Sequence, residues 1–387
     1  MLIWKKPCRQ AVEFIENSLI SNWMLNLSKI IDRVGLDQSD TDYQEPLDIL
    51  IRSINKEADL TFLGSLAVEY QIKEHLWNRS LISEVYNDVN SEKVSQPIIV
   101  IGLPRSGTTF LFNLLSKDID NRSPLFWEMM KPLPLVTPKS FSEKSRIFRS
   151  DSILFIKEKF IPQLDHIHAI RSESPEECLL IKVFALQSIF YFYMANTPSY
   201  LEYLINADTG ISYDWHYKFL KILEKTRKPK RWLLKDPSHL GNLEEILDRY
   251  PDACFIHLSR DPSETLPSIC SLTSQVRRGF SKKLSPNDLG RQTLDFWAQS
   301  NDKNESQISK IPAEKYLQVE YDDLLEDPIN LIKDIYSKFS LPLNELTQNQ
   351  MMNHVETGKQ EAKIKHNYSL QDYGLDKKEV HNKLNFR

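Results

Sequence analysis

The first part of the chain carries apolar residues at helical spacing. They recur three and four positions apart in two stretches, at Leu47, Leu50, Ile51 and Ile54 and again at Leu63, Leu66, Ala67 and Tyr70. This period places the apolar side chains on one face of each helix. Because glycine is also nearly absent there, the pattern predicts a helical N-terminal extension over residues 1–95.

After residue 95 the apolar pattern changes to short runs of strand length. These runs are Pro97–Ile101, Arg231–Lys235, Ala253–Ser259 and Tyr316–Tyr321. The first is continuously apolar, which is typical of a strand buried on both faces of a parallel sheet. Since segments with helical character separate the runs, residues 96–387 are predicted to form one α/β unit, a central parallel sheet flanked by helices.

Asp-Pro pairs after the later runs indicate where helices begin. Asp236-Pro237 and Asp261-Pro262 are natural starts, because Asp caps the first amides and Pro needs no donor at the first helical position. A third pair, Asp327-Pro328, leads to a helix predicted near 331–339. Residues 125–230 are mostly helical and aromatic, and we expect them to cover a ligand crevice.

Composition narrows the class of protein. The 387 residues are 41% hydrophobic and 26% charged, as in a globular protein, and the net charge of −4 argues against general nucleic-acid binding. The four cysteines lie far apart, so neither a zinc ribbon nor a disulfide framework is expected. The most apolar stretch, residues 179–195, is interrupted by Lys182, and the N-terminus lacks an apolar signal core. We therefore expect a cytoplasmic protein without a membrane span.

The stretch from Gly102 to Thr109, GLPRSGTT, joins a predicted strand to a predicted helix. It has the Gly-x4-Gly frame of a phosphate-binding loop, but Thr108 occupies the position of the lysine that ATP- and GTP-binding loops use. The backbone amides of the loop can bind an anion at the helix N-terminus. The expected binding residues are Arg105, Ser106, Gly107, Thr108 and Thr109.

A second anion-binding segment begins at Arg260. This residue ends a predicted strand at the crevice edge of the sheet, and Ser268 follows about two helical turns further along. Together the two side chains could bind one phosphate. Alone, either residue is more typical of a surface ion pair or a helix-face hydroxyl.

These motifs resemble those of the sulfotransferases that use 3′-phosphoadenosine-5′-phosphosulfate (PAPS). Gly102–Thr109 is similar to their 5′-phosphosulfate loop, Arg260–Ser268 to their 3′-phosphate motif, and Tyr316–Pro328 to a late strand-helix segment. The likeness is to the bacterial branch that also resembles tyrosylprotein sulfotransferases, and it runs from about residue 25 to residue 375. It implies a P-loop-like three-layer fold, PAPS as co-substrate, the bisphosphate PAP as product, and no metal.

The resemblance also suggests catalytic residues. Lys235 and Arg105 would stabilise the negative charge that grows on the leaving phosphate. The acceptor base would be Glu128, surrounded by Phe126 and Trp127, or His168. Alternative explanations are a cap or ion pair for Glu128, a solvated charge for Lys235, and a packed or surface side chain for His166 and His168.

Three further segments allow structural and functional interpretations. Ser174-Pro-Glu-Glu177 has the form of a helix capping box, which leaves Glu176 and Glu177 as weaker catalytic candidates. The aromatic run Phe184–Tyr203 is more typical of core than of a pocket. The basic tail Lys359–Tyr368 resembles a segment that closes over the 3′-phosphate, through Lys365 and His366 with Lys363 beside them.

The sequence thus predicts a PAPS-dependent sulfotransferase that acts on a hydroxyl, or less favourably an amine, of a partly apolar acceptor. Small-molecule, lipid and saccharide acceptors all fit, and a phenol or peptide stays open. The alternatives are a small-metabolite kinase, which Thr108 disfavours, and a nucleotide-binding scaffold without catalysis, which the set of Arg105, Lys235, Arg260 and Ser268 disfavours.

Overall fold

The computed structural model describes residues 24–34, 40–86, 94, 96–160, 170–361 and 368–385. Within these ranges, a five-stranded sheet with parallel pairings forms the centre. Its strands are β1 Ile98–Gly102, β2 Asn121–Arg122, β3 Arg231–Lys235, β4 Cys254–Ser259 and β5 Tyr316–Glu320, in the spatial order β2-β3-β1-β4-β5. The four strands predicted from the apolar runs are confirmed, and β2 is an addition at one edge.

Helices cover both faces of the sheet. They are α1 Leu27–Val34, α2 Gln44–Glu57, α3 Phe62–Tyr86, α4 Thr108–Leu115, α5 Phe126–Met130, α6 Phe141–Phe160, α7 Leu179–Lys182, α8 Phe190–Met194, α9 Pro198–Asn206, α10 Gly210–Glu224, α11 Leu243–Arg249, α12 Pro262–Arg278, α13 Pro286–Ile308, α14 Tyr321–Glu326, α15 Pro328–Lys338, α16 Glu345–Glu361 and α17 Lys377–Lys383. Short 3₁₀ helices lie at Val183–Ala185, Pro237–His239, Ala313–Lys315 and Leu370–Tyr373. In this part of the chain, no helix combines the length and the apolar character that crossing a membrane would require.

Alternate residues of β1 point into two different hydrophobic cores. Ile99 and Ile101 of β1 pack with the N-terminal and middle helices, whereas Ile98 and Val100 pack with α4, α15 and α16. The alternation follows from the period of two in a strand. Helix, sheet and helix therefore form three layers, which confirms the predicted α/β class.

The carboxyl ends of the central strands meet at one edge of the sheet. Val100 of β1 pairs with Lys235, the last residue of β3, and Gly102 pairs with Leu258 of β4. In open α/β sheets the ligand crevice lies beyond this edge. The register therefore brings the loop after β1, Lys235 and the segment after β4 to one place.

The Asp-Pro pairs give helix starts of two kinds. The Asp261 side chain accepts the amide of Ser263 at 2.7 Å and caps α12, as predicted. Asp236 accepts the amide of Ser238 at 2.8 Å, but only a 3₁₀ turn follows, and the next α-helix begins at Leu243. Gly241 intervenes with a φ of 81°, a left-handed conformation that no α-helix contains.

The predicted capping box at Ser174 is wrong, because no helix begins at Pro175. This segment is extended and pairs with the chain before α5: the amide of Glu176 donates to the carbonyl of Pro124 at 3.1 Å, and Pro175 forms an antiparallel bridge with Leu125. The first helix after it is α7, from Leu179. Tertiary pairing has overridden the local helix-start signal, and the Glu177 side chain has no capping role.

The N-terminal helices are fastened to the middle helices by a buried arginine. Arg79 of α3 is fully buried, and its guanidinium donates to Asp40 at 2.9 Å and to the carbonyl of Phe184 at 2.8 Å. It also pairs with Asp42 and stacks 3.9 Å from the centroid of the Trp215 ring. The partners of Arg79 come from the segments before and after residue 95, so the two segments pack against each other. The division of the chain into a 1–95 extension and a 96–387 catalytic unit stays a prediction.

We expect Arg79→Met to lower the free energy of unfolding by about 3–5 kcal/mol, because the buried Phe184 carbonyl and the partly buried Asp40 and Asp42 would lose their cation. Urea unfolding followed by tryptophan fluorescence measures the change. Arg52→Met is the matched control, since Arg52 pairs with Asp48 on the exposed face of α2, and its loss should cost less than about 1 kcal/mol. Equal midpoints for the two variants would contradict this role of Arg79.

Candidate active site

The loop after β1 has the conformation of an anion-binding turn. Gly102 and Gly107 adopt φ of 143° and 94°, and a Cβ on them would come within 2.5 Å of the Leu258 carbonyl oxygen and 2.7 Å of the Tyr321 ring, respectively. Both positions therefore require glycine. Arg105 also has a positive φ, of 70°, and α4 begins directly after the turn at Thr108. The first amides of α4 thus lie at the crevice edge of the sheet.

Within the loop, the hydroxyl groups have different surroundings. Ser106 donates its hydroxyl to the carbonyl of Leu103 at 2.7 Å, which closes the turn. Thr108 is buried, and the hydroxyl of Thr109 accepts from Lys235 Nζ at 3.0 Å. Of these side chains, Thr109 therefore connects the loop to the end of β3.

The two predicted anion motifs are in direct contact. Arg105 Nε donates to Ser268 Oγ at 3.0 Å, and Arg260 Nη1 donates to the backbone carbonyl of Arg105 at 3.0 Å. Arg260 also pairs with Glu264 at 2.7 Å and stacks 4.0 Å from the centroid of the Tyr321 ring. The fold thus brings Arg105, Arg260 and Ser268 together at one edge of the sheet.

The C-terminal tail reaches the same place. Tyr368 donates its hydroxyl to Ser268 Oγ at 2.7 Å. Lys363, Lys365 and His366, predicted to close over a phosphate, lie outside the described residues. The position of Tyr368 is compatible with that prediction, because it ends the basic segment beside Ser268.

Lys235 is a buried cation at the end of β3. Its side chain is about 2% exposed and donates to Thr109 and to the carboxylate of Glu177. The ammonium also lies 5.6 Å from the centroid of the Phe112 ring. Lys235 is therefore not a solvated surface charge, and it has polar partners from two other segments.

The position of Glu177 was not foreseen from the sequence. The amide of the next residue, Cys178, donates to the carbonyl of Lys235 at 2.9 Å, which fixes the extended segment against the end of β3. Tyr193 lies nearby: burial raises its pKa well above the ordinary value, and the negative charge of Glu177 adds to the rise. Lys235 thus has an acidic partner in Glu177, and the Tyr193 hydroxyl lies near that acid. The two adjacent glutamates and the proline before them were the available signal, but they also fit a capping box.

Glu128 is buried near the start of α5, with partners on both oxygens. Oε1 accepts from Arg122 Nη2 at 2.8 Å, and Oε2 accepts from the amide of Leu125 at 2.9 Å. The side chain lines a cavity of about 510 Å³ whose wall includes residues 116–119, beyond the far end of α4 from the loop. These contacts are those of a cap and an ion pair, and the predicted catalytic role of Glu128 stays a proposal.

His166 and His168 lie outside the described residues. The aromatic run is mostly core, as expected: Tyr191, Phe192 and Tyr200 are buried, while Phe190 and Tyr193 are partly exposed.

Comparison with known proteins identifies the family. A model of the sulfotransferase family matches residues 97–345, and the chain belongs to that family. An omega-hydroxy-beta-dihydromenaquinone-9 sulfotransferase, Stf3 of Mycobacterium bovis, is 23% identical over 255 residues. That alignment spans 63% of this chain and 63% of the relative, so it covers less than two thirds of the relative's length.

Solved sulfotransferase structures have the same fold. STF1 from Mycobacterium tuberculosis superposes with a TM-score of 0.80 at 28% identity, covering 93% of this chain and 98% of that one. STF9 from Mycobacterium avium gives a TM-score of 0.80 at 24% identity, covering 92% and 93%. The likeness includes the N-terminal helices as well as the sheet, since it extends over nearly the whole chain.

Proposed function

We propose that this chain transfers the sulfuryl group of PAPS to a hydroxyl group of a partly apolar acceptor. The observation that carries the proposal is the hydrogen bond between Arg105 and Ser268. It joins a loop suited to the 5′-phosphosulfate and a segment suited to the 3′-phosphate into one crevice. PAPS carries both groups, whereas a kinase donor needs a lysine at the position that buried Thr108 occupies.

The residues of the crevice fit this donor. The amides at the start of α4 and the side chain of Arg105 would bind the 5′-phosphate, and Arg260 and Ser268 would bind the 3′-phosphate, with Lys365 and His366 closing over it. When bound, PAPS supplies a sulfuryl group whose bond to the phosphate breaks as the acceptor oxygen bonds to sulfur. Lys235 and Arg105 would stabilise the charge that develops on the departing PAP.

The contact between Lys235 and Glu177 suggests how the acceptor proton is removed. Lys235 would exchange Glu177 for the leaving phosphate, which releases a carboxylate beside the reacting atoms. Glu177 can then accept the proton of the acceptor hydroxyl. We favour Glu177 over Glu128, because both oxygens of Glu128 already have partners, and we keep Glu128 and His168 as alternatives.

The surroundings of Lys235 also bear on the acceptor. Tyr193 is partly exposed and lies near Glu177, so its ring offers an aromatic surface that suits an apolar group next to the reacting hydroxyl. The name of the Stf3 relative refers to a hydroxylated menaquinone. We propose the broader class of lipid-like or other apolar small-molecule alcohols for this chain.

The donor is tested by ligand-induced stabilisation. PAP without metal should raise the melting temperature, with about 2.7 kcal/mol of added stability at a hundredfold excess over the dissociation constant. ATP with Mg²⁺ should change it little. A shift with ATP and Mg²⁺ but not with PAP would replace this proposal with the kinase.

The proposed 3′-phosphate site is tested by titrating PAP into variants of Arg260 and Ser268. Arg260→Ala and Ser268→Ala should each weaken PAP binding about 10- to 100-fold, the usual range for a hydrogen bond to a charged group. Ser271→Ala on the same helix is the control and should bind normally, because its hydroxyl accepts from Gln275 instead. Unchanged affinity in Ser268→Ala would remove that residue from the site.

The proposal that Glu177 is the base is tested by measuring turnover and PAP binding in the same variant. Glu177→Gln should lower kcat by roughly a hundredfold or more. It should bind PAP as tightly as the wild type or more tightly, because a carboxylate that competes for Lys235 becomes neutral. Steady-state kinetics with an accepted alcohol and calorimetry with PAP provide the two readouts.

Three variants complete this comparison. Glu128→Gln should mainly lower stability, through its bonds to Arg122 and Leu125, and His168→Asn should retain most of its turnover. Lys235→Met should slow transfer whichever base acts. An active Glu177→Gln beside an inactive Glu128→Gln or His168→Asn would transfer the role of base to that residue.

A further inference from the structure

A second cluster of reactive side chains lies in the core behind Lys235. Cys178 precedes α7, His216 belongs to α10, and His239 ends the 3₁₀ turn after β3. All three are fully buried, and one sulfur or nitrogen atom of each lies within 4.8 Å of the other two. Three separate segments of the fold therefore converge on one point.

Both histidine rings are held by tyrosines. His216 Nδ1 lies 2.6 Å from the hydroxyl of Tyr250, and His239 Nδ1 lies 2.8 Å from the hydroxyl of Tyr213. Among the residues that the structure describes, the Nε2 atoms of both rings have no hydrogen-bond partner. A buried nitrogen without a partner is costly, and the usual explanation is a bound water or ion.

The chemistry of the cluster favours a metal over water. A cysteine sulfur and two imidazole nitrogens are ligands that zinc prefers, and metal-binding histidines commonly bond their second nitrogen to another polar group.

The charges near the cluster are mixed. Lys182, one turn after Cys178, opposes a cation. It interacts electrostatically with two acids, Asp236 and Glu245, and Asp236 Oδ2 lies 3.9 Å from its ammonium. Asp236 and Glu245 offset the positive charge of Lys182. They therefore reduce its repulsion of a bound zinc ion.

We propose that Cys178, His216 and His239 bind one zinc ion, with a water molecule or no ligand in the fourth position. On binding, the Cys178 thiol loses its proton to solvent and forms the Zn–S bond, while the two Nε2 atoms donate their lone pairs. No redox partner is needed. The ion would brace the two segments that carry Lys235 and Glu177, because Cys178 adjoins Glu177 and His239 follows Lys235 by one turn. The site does not depend on the proposed sulfotransferase activity.

The test begins with the wild-type chain, purified without a histidine tag and dialysed against Zn²⁺ and then against metal-free buffer. Elemental mass spectrometry should find about one zinc per chain, as expected for a protein-ligated site. Replacing zinc with Co²⁺ should give a thiolate-to-cobalt absorption band in the near ultraviolet. A strong chelator should lower the melting temperature, and added Zn²⁺ should restore it.

Variants assign the ligands. Cys178→Ser should lose the cobalt thiolate band, and Tyr250→Phe should weaken zinc binding about 10- to 100-fold, the usual effect of losing a group that orients a ligand. Cys254→Ser and Cys270→Ser are matched controls, since both residues are buried thiols outside the cluster and should keep the band.

Either of two results would overturn the proposal. One is a folded wild-type chain that retains no zinc and shows no cobalt band, which would mean that water or nothing fills the space. The other is a Cys178→Ser variant that binds zinc with wild-type stoichiometry and affinity, since Cys178 would then not be a ligand.

Discussion

The structure of the site depends on the burial of the Lys235 ammonium. A charge removed from water must have close polar partners, because an unpaired buried ion is strongly unfavourable. Thr109 and Glu177 meet this requirement from the start of α4 and from the extended segment before α7. The need to pair one cation therefore fixes how the loop, β3 and that segment meet. A donor phosphate entering the crevice would meet a cation that is already oriented.

A second set of contacts positions the rest of the crevice. Arg105 bonds to Ser268 through its side chain and to Arg260 through its carbonyl, so that one residue connects the loop to α12. Tyr368 adds the C-terminal tail at Ser268. Because these bonds use the groups that we propose bind phosphate, the crevice is organised before a ligand arrives. Such preorganisation reduces the ordering cost of binding.

The sequence predicted the sheet well and the contacts between segments only in part. Burial on both faces leaves a local apolar signal, which is why four strands and the class of fold could be predicted, whereas polar β2 has none. The glycine frame of the loop and the Arg260 motif are also local patterns. The hydrogen-bond partners of Glu128 could not be predicted from local patterns. The contact of Glu177 with Lys235 was also missed, because Ser-Pro-Glu-Glu suits a capping box as well as an extended strand. Cys178, His216 and His239 come together only through the fold.

The stretch from Lys235 to His239 connects the proposed active site with the cysteine-histidine cluster in the core. Lys235 contacts Thr109 at the crevice edge of the sheet, while Asp236 pairs with buried Lys182 and His239 belongs to the cysteine-histidine cluster. The Asp236-Pro237 turn holds these side chains in a fixed relation, because the Asp236 carboxylate accepts from both the amide and the hydroxyl of Ser238. A change in the core cluster would therefore act on turnover through the position of Lys235, without contact with the donor. Stability and the proposed catalysis share this strand end, so the position of the Lys235 ammonium depends on how the core beside it is packed.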